Sequence, residues 1–473
     1  MSFKILIVTS VITALASPPG ASAQADDYHS RWGLPDDPFG RRVGQLLEAI
    51  SRDDEAFTRD FVENGLHPSF LEMGPVDMHM EQFGMMRAQL GDFGVEDIDL
   101  EGPYRGELIL RASSGDRVLL SVELEEIEPH RLAGVGLEPY DPELEIPEFA
   151  GLEEVDGYLS ELAGANKFSG VVLVDRKDAE PVVRAYGMAN KKRRIENTPD
   201  TRFNVGSITK SFTAVAIMQL VEEGKIDLDD LLGKYLLEFP SEIGNKVTVR
   251  HLLGMESGFG DYFGYPKFRK RRSKIRTIDD LLDILKDFEL EFEPGTDRRY
   301  SNAGYVILGG IIERASGMTY FDYVEKNIFK VVDMSGSSFP EYADDGDRIA
   351  MGYTNDGDSG TSDYTENYLS FFTPLGNPSG GSFSTGEDLL RFNKFLLWDR
   401  LLNEEHTILL LNFFEDREER PSRYGVAGGA PGVSAVSISD RDLGISVIVL
   451  SNYDEPLGEK IGQAIFKMMN NKS

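Results

Sequence analysis

The chain contains no cysteine. Disulfides, thiolate nucleophiles and Cys-ligated zinc are thereby excluded, and the usual sequence test of redox compartment is lost with them. Positive charge is scarce relative to negative. Against 81 Asp and Glu stand 49 Lys and Arg, giving a formal net charge of −32. Such a balance argues against nucleic acid or anionic lipid surfaces as partners and favours solubility. No Gly-x-Ser-x-Gly elbow is present, so the usual frame of a Ser-His-Asp site is missing. His251 falls in an apolar helical turn and reads as structural.

Long apolar runs are also absent, apart from Ile5 to Ala16. That run follows Lys4 and is too short to span a bilayer with ease. Pro18 and Pro19 break any helix, and Ala21-Ser22-Ala23 supplies an A-x-A cleavage signal. Residues 1–23 therefore read as a secretory signal peptide. The mature protein is expected outside the cytoplasm, periplasmic or secreted, with no integral membrane segment and no lipoprotein anchor.

What is present reads as a globular chain, 41% hydrophobic, which rules out wholesale disorder. Two units are expected, of mixed α+β class. In the first, 31–140, helical periodicity at Val43, Leu46, Leu47 and Ile50 resumes with Phe57 and Phe61. Strand-like alternation follows near Val95–Leu100, Glu107–Arg111 and Val118–Leu124. This order resembles NTF2-like cones, although no motif carries the likeness. The acidic, Pro-punctuated stretch 141–149 reads as a linker. The second unit, 150–473, opens with a helix at Leu152–Leu162 and strands at Gly170–Val174 and Val182–Ala185. A long helix is expected to start at Ser207. Strands Val433–Ser439 and Gly444–Leu450 and a helix from Leu457 to Met469 close the chain. Strands at both ends imply one sheet assembled from distant segments.

Three stretches carry chemistry. In Val205-Gly206-Ser207-Ile208-Thr209-Lys210, a serine and a lysine three apart share one face of a helix's first turn. Unpaired N–H groups and a partial positive charge collect at such a terminus. A buried lysine there is pushed toward the neutral form that a general base needs. In Tyr300-Ser301-Asn302, a phenol and an amide can face one side of a turn, before a helix expected at Tyr305–Ala315. The phenol can share a proton with Lys210, and Asn302 can hold Lys210 or a substrate carbonyl. In Tyr424-Gly425-Val426-Ala427-Gly428-Gly429, a glycine-rich strand edge lets a substrate backbone approach closely. Taken singly, each stretch has an ordinary structural reading, as a helix cap, a turn tyrosine and a glycine-rich turn.

Their order distinguishes them. S-x-x-K, then Y-x-N, then a glycine-rich closing strand resembles the motif series of class C β-lactamases, related esterases and D-amino-acid peptidases. The resemblance, to the β-lactamase/penicillin-binding-protein superfamily, covers roughly residues 150–470. Val247-Thr248-Val249-Arg250-His251-Leu252-Leu253 and Ser384-Thr385-Gly386-Glu387-Asp388-Leu389 look like further family landmarks. It implies helices flanking a central antiparallel sheet, with Ser207 as nucleophile and Lys210, with Tyr300, as its base. It further implies an oxyanion site from the N–H groups of Ser207 and Gly429, with Gly428 and Asn302 lining it. No metal or cofactor is implied.

One departure matters. The family's third motif normally opens with Lys, His or Trp, whereas this chain has Val426-Ala427-Gly428. The cation that would greet a substrate carboxylate is missing. An ester or small amide is therefore the favoured substrate. A β-lactam, a D-Ala peptide or other peptidoglycan-like material, and a degenerate envelope-binding protein, are the alternatives. The oligomeric state stays open. The basic run from Lys267 to Arg276 reads as a loop balancing nearby acids; the alternatives are a site for anionic cell-envelope material, or a flap beside a pocket lined by Tyr262, Phe263 and Tyr265. The cluster Met73, Met78, His79, Met80, Met85 and Met86 reads as flexible core filling, with soft-metal binding as the alternative.

Overall fold

A computed structural model describes residues 28–471, apart from Ser69, 71–74, Glu101, 141–145, Asp178, 341–347, 355–364, 367–372 and 415–419. The segment read as a signal peptide, residues 141–145 of the acidic linker and Met73 lie outside the described residues. The chain divides into two compact units, Met1–Glu145 and Ile146–Ser473.

In the first unit, helices α1 (Pro38–Ser51), α2 (Glu55–Gly65) and α3 (Val76–Leu90) precede four strands. Helix α1 starts where it does because the Asp37 carboxylate accepts from Gly40 N at 2.8 Å and Pro38 fills the first position. Its apolar stripe, Val43, Leu46, Leu47 and Ile50, is buried. Glu48 is buried with it, held by Arg31 at 2.6 Å, by Trp32 Nε1 at 3.1 Å and by Arg52. A carboxylate so enclosed needs those partners. Strands β1 (Phe93–Leu100), β2 (Arg105–Ala112), β3 (Arg117–Leu124) and β4 (Leu132–Pro139) form an antiparallel meander in chain order. Alternate residues, Leu108, Leu110, Leu120 and Val122, turn inward to the helices' apolar side chains. Strand β4 was not expected, because Gly134 and Gly136 dilute its apolar alternation.

The second unit is built on a five-stranded antiparallel sheet. Its strands are β5 (Gly170–Arg176), β6 (Val182–Tyr186), β7 (Arg423–Ala430), β8 (Val433–Asp440) and β9 (Ile445–Ser451), in the order β7-β8-β9-β5-β6. Helices cover the sheet: α4 (Leu152–Gly164) packs on β6, α7 (Gly386–Leu397) on β5, β8 and β9, and α8 (Leu457–Asn470) on β8 and β9. Every residue of β8 and β9 is buried, as strands covered on both faces must be. The serines this buries in β8 are satisfied. Asn393 of α7 donates to Ser437 Oγ at 2.8 Å and to Ser439 Oγ at 2.9 Å. The mixed class expected from the sequence, a central antiparallel sheet flanked by helices, is the one observed.

Two further helices carry the site. Helix α5 (Thr209–Glu222) is apolar on nearly every side and is buried accordingly. Phe212 locks it through edge-on contacts to Phe329 and Phe392, with ring centroids 5.0 and 4.9 Å away. Helix α6 (Asn302–Ser316) packs against it. Both begin differently from the sequence expectation. Ser207 lies in a 3₁₀ turn, Gly206–Ile208, and the regular helix starts only at Thr209. The turn is tight because Gly206 has φ +52°, while its N–H donates to Asn204 Oδ1 at 2.8 Å. Helix α6 starts three residues early, because the Ser301 hydroxyl caps it by accepting from Gly304 N at 2.8 Å.

Candidate active site

Four of the expected side chains meet at one point. Lys210 Nζ lies 3.1 Å from Ser207 Oγ, and the Tyr300 hydroxyl donates to the same oxygen at 2.6 Å. Lys210 also donates to Asn302 Oδ1 at 2.7 Å and to the Ser379 carbonyl at 2.5 Å. A bridge between Phe203–Asn204 and Phe383–Ser384 ties the segment before Ser207 to the one after Ser379. The amine, amide and carbonyl are thus held on elements that cannot drift apart independently.

Electrostatics assign the proton. Lys210 is 3% exposed, and burial lowers its pKa to about 7, against an opposing pull from the Asp261 carboxylate. The rings of Tyr300 and Tyr305 flank the amine, with centroids at 4.6 and 5.7 Å. Tyr300 is 49% exposed as a residue, yet its hydroxyl is engaged by Ser207 Oγ within the site. Desolvation there raises the phenol's pKa to about 12, although the Ser207 hydrogen bond opposes the rise. Near neutral pH the neutral amine is therefore accessible and the phenolate is not. Lys210 can accept the serine proton, and Tyr300 can give one.

The glycine edge closes the site. A Cβ on Gly428 would sit 2.8 Å from Ser207 N, and one on Gly206 would sit 3.2 Å from Gly429 N. The backbone at 428–429 therefore runs directly over the nucleophile's own N–H. This is the close approach that an oxyanion site needs, and only glycine permits it. Val426 faces the apolar core and is partly buried there.

Several residues of the site carry no signal in the local sequence. Asp261 accepts from Asn302 Nδ2 at 2.6 Å and so orients the amide that holds Lys210. Tyr262, expected to line a pocket, is instead fully buried. Its hydroxyl lies 3.2 Å from Ser379 Oγ and accepts from Asn377 Nδ2 at 3.1 Å. It braces the turn whose carbonyl receives Lys210. The Ser379-Gly380-Gly381 run was the only available hint of that turn. In the basic run, Lys267 pairs with Asp287 at 2.7 Å and Arg271 with Asp283 at 2.6 Å, so these cations balance nearby acids. His251 completes a capping box, donating N–H to Thr248 Oγ1 at 3.2 Å while its Nδ1 accepts from Thr248 N at 3.3 Å.

Asp261→Asn tests the electrostatic reading, because it keeps an acceptor for Asn302 but removes the charge. Since that charge favours the ammonium form, its loss should move the acidic limb of the pH–rate profile to lower pH. Maximal activity should fall by no more than about tenfold. A limb that stays in place would refute the coupling.

The sequence profile of the β-lactamase family matches residues 155–467. The chain belongs to the β-lactamase family. Penicillin-binding protein 4* of Bacillus subtilis (strain 168) is 30% identical over 335 residues, spanning 65% of this chain and 72% of that protein. A solved penicillin binding protein from Bacillus halodurans is 29% identical with a TM-score of 0.59, covering 66% of this chain and 99% of that one. A solved D-stereospecific amidohydrolase from Streptomyces sp. is 26% identical with a TM-score of 0.53, covering 65% of this chain and 97% of that one. By sequence and by fold this domain therefore belongs to a family of serine hydrolases. The first unit precedes the matched span.

Proposed function

We propose that the domain hydrolyses an ester or small amide through an acyl-serine intermediate on Ser207. The observation that carries this is a buried amine, held near neutrality, 3.1 Å from the serine oxygen. As Ser207 Oγ bonds to the substrate carbonyl carbon, its proton passes to neutral Lys210 Nζ. The carbonyl π pair moves to oxygen, which lies against the N–H groups of Ser207 and Gly429. When the bond to the leaving group breaks, Tyr300 supplies its proton and is reprotonated from Lys210. Water then attacks the acyl-serine and its proton passes to Lys210; as the bond between the acyl carbon and Ser207 Oγ breaks, the pair returns that proton to the serine oxygen and the acid is released. Val426 in place of a cation favours substrates with no carboxylate beside the scissile bond. With residues 1–23 read as an export signal, the proposal places this activity outside the cytoplasm.

Intact-mass spectrometry after exposure to a fluorophosphonate tests the nucleophile. One adduct is expected, mapped to Ser207 and absent from Ser207→Ala. Short-chain p-nitrophenyl esters, a chromogenic cephalosporin and a D-Ala-D-Ala peptide should be compared in parallel, with the esters turned over fastest. No adduct and no turnover of any of the three would refute the proposal in favour of a binding protein.

A further inference from the structure

The five-stranded sheet has two ends, and the site occupies one of them. Gly429 pairs with Ser434, Ser434 with Ser451 and Ser451 with Gly170, so these residues mark the end beside Ser207. Asp440 pairs with Ile445 and Ile445 with Arg176, which marks the other end. From Gly170 to Arg176 the chain runs about 20 Å along β5. A cleft of about 640 Å³ lies at this far end, where the β5–β6 and β8–β9 turns meet the last turn of α7. Small-molecule sites have volumes of this order.

The charge of its walls runs against that of the chain. Acids outnumber bases 81 to 49 overall, yet here Arg176, Lys177, Lys394 and Arg441 stand with only Asp175 and Glu180. Two of the cations are engaged. Lys394 pairs with the buried Asp175 at 2.7 Å on the cleft floor, and Arg441 pairs with Asp442 at 3.0 Å. Arg176 and Lys177 form no ion pair among the described residues. Lys177 is nonetheless held in place. Its N–H donates to the Gly444 carbonyl at 2.8 Å, and its stem lies over Gly444, where a Cβ would sit 2.8 Å from Lys177 Cβ. Gly444 has φ +65°, so glycine is required there on both counts. Trp398, the residue after α7, lines the same cleft and is 46% exposed. It offers a broad apolar face to solvent. The chain's other tryptophan, Trp32, is stacked on Phe93 in the first unit.

We propose that this cleft binds acidic sugars, the uronic-acid units of a saccharide, at a place separate from Ser207. Each wall removes a different class of ligand. A hydrocarbon would desolvate the charged groups without satisfying them. A bare carboxylate or phosphate would leave the indole uncovered. A pyranose acid meets all of them at once. Its C–H face covers the indole, and its carboxylate takes Arg176 and Lys177 through charge-assisted hydrogen bonds. Its hydroxyls donate to Glu180, which can only accept. The inference does not depend on the acyl-serine reading.

Trigalacturonate, maltotriose and benzoate separate these contributions, as an acidic sugar, a neutral sugar and a flat anion without hydroxyls. Titrated into the full chain, only trigalacturonate should give a saturable change in tryptophan fluorescence, with heat of binding to match. The fluorescence change should vanish in Trp398→Phe, which keeps Trp32. Arg176→Gln combined with Lys177→Gln should weaken calorimetric binding by about tenfold or more. Arg269→Gln combined with Lys270→Gln removes the same charge from the basic run, and should alter binding by no more than about twofold. Thermal melting of each variant, expected to match the wild type, reports that the fold is kept. Lack of saturable binding by trigalacturonate would overturn the inference. So would equally tight binding of maltotriose or benzoate, a fluorescence change that persists in Trp398→Phe, or equal weakening in the two double variants. None of these results bears on the hydrolase reading, which Ser207 labelling tests by itself.

Discussion

Lys210→Met should slow acylation of Ser207 by about 10²–10⁴-fold, the usual contribution of a positioned general base. Methionine is nearly isosteric and suits a site that is 3% exposed, so the helix should persist. Two acceptors, Asn302 Oδ1 and the Ser379 carbonyl, lose their donor. Each such loss costs about 1–3 kcal/mol, offset in part because an amine no longer has to be buried. Stopped-flow measurement of the fluorophosphonate reaction, with thermal melting beside it, separates chemistry from folding. The wild type should show a matching pH signature. Burial lowers the lysine's pKa to about 7, so the basic form grows as pH rises through that value. The acylation rate should climb with a midpoint near 7, while Tyr300, raised to about 12, stays protonated across the window. A midpoint near 10, or ready acylation of the methionine variant, would remove Lys210 from the mechanism.

Gly428→Ala is the second large effect expected. Its methyl would lie 2.1 Å from the Val205 carbonyl oxygen and 2.8 Å from Ser207 N. Neither is the mobile end of a side chain, so either the strand edge or the 3₁₀ turn must move. In both cases the N–H groups of Ser207 and Gly429 leave register. Losing one oxyanion donor typically costs 10²–10³ in kcat, and about that loss is expected here. Overpacking should also take about 1–3 kcal/mol from stability. Gly425→Ala on the same strand is the control, since its Cβ would meet only Ile438 at an ordinary 4.0 Å. Equal losses in the two variants would mean that the glycines of β7 tolerate no added methyl in general, and that the oxyanion assignment is unsupported.

How much of this could be read beforehand follows from chain distance. Ser207 and Lys210 are three apart, and Tyr300 and Asn302 two apart, so each pair is a local pattern with a local physical reason. Helix periodicity and apolar strand runs were enough for the class of fold and for most elements of the sheet. Two helix starts slipped because a positive-φ glycine and a serine cap set the boundaries more finely than hydrophobic spacing can. Strand β4 was lost to its glycines. Asp261 and Ser379 were invisible for another reason. Asp261 is 41 residues from the amide it orients, and Ser379 is 169 residues from the lysine it receives. Nothing in a loop's own composition says which distant helix it will face. Tyr262 shows the reverse error, since an aromatic near a basic run looked like a pocket wall and proved to be a buried brace.

The strand order has a temporal consequence. β5 is paired on one side by β9, with Gly170 opposite Ser451, so the centre of the sheet joins residues from opposite ends of the domain. During synthesis the nucleophile, its lysine and its phenol all emerge well before the strands that complete their cradle. Such long-range pairing is slow to form. A chain released before Ile445 would carry every side chain of the site but lack β9, the strand that joins the β5–β6 pair to the β7–β8 pair. Until β9 is made, the glycine edge on β7 and the β5–β6 pair ahead of Ser207 belong to separate pieces of sheet.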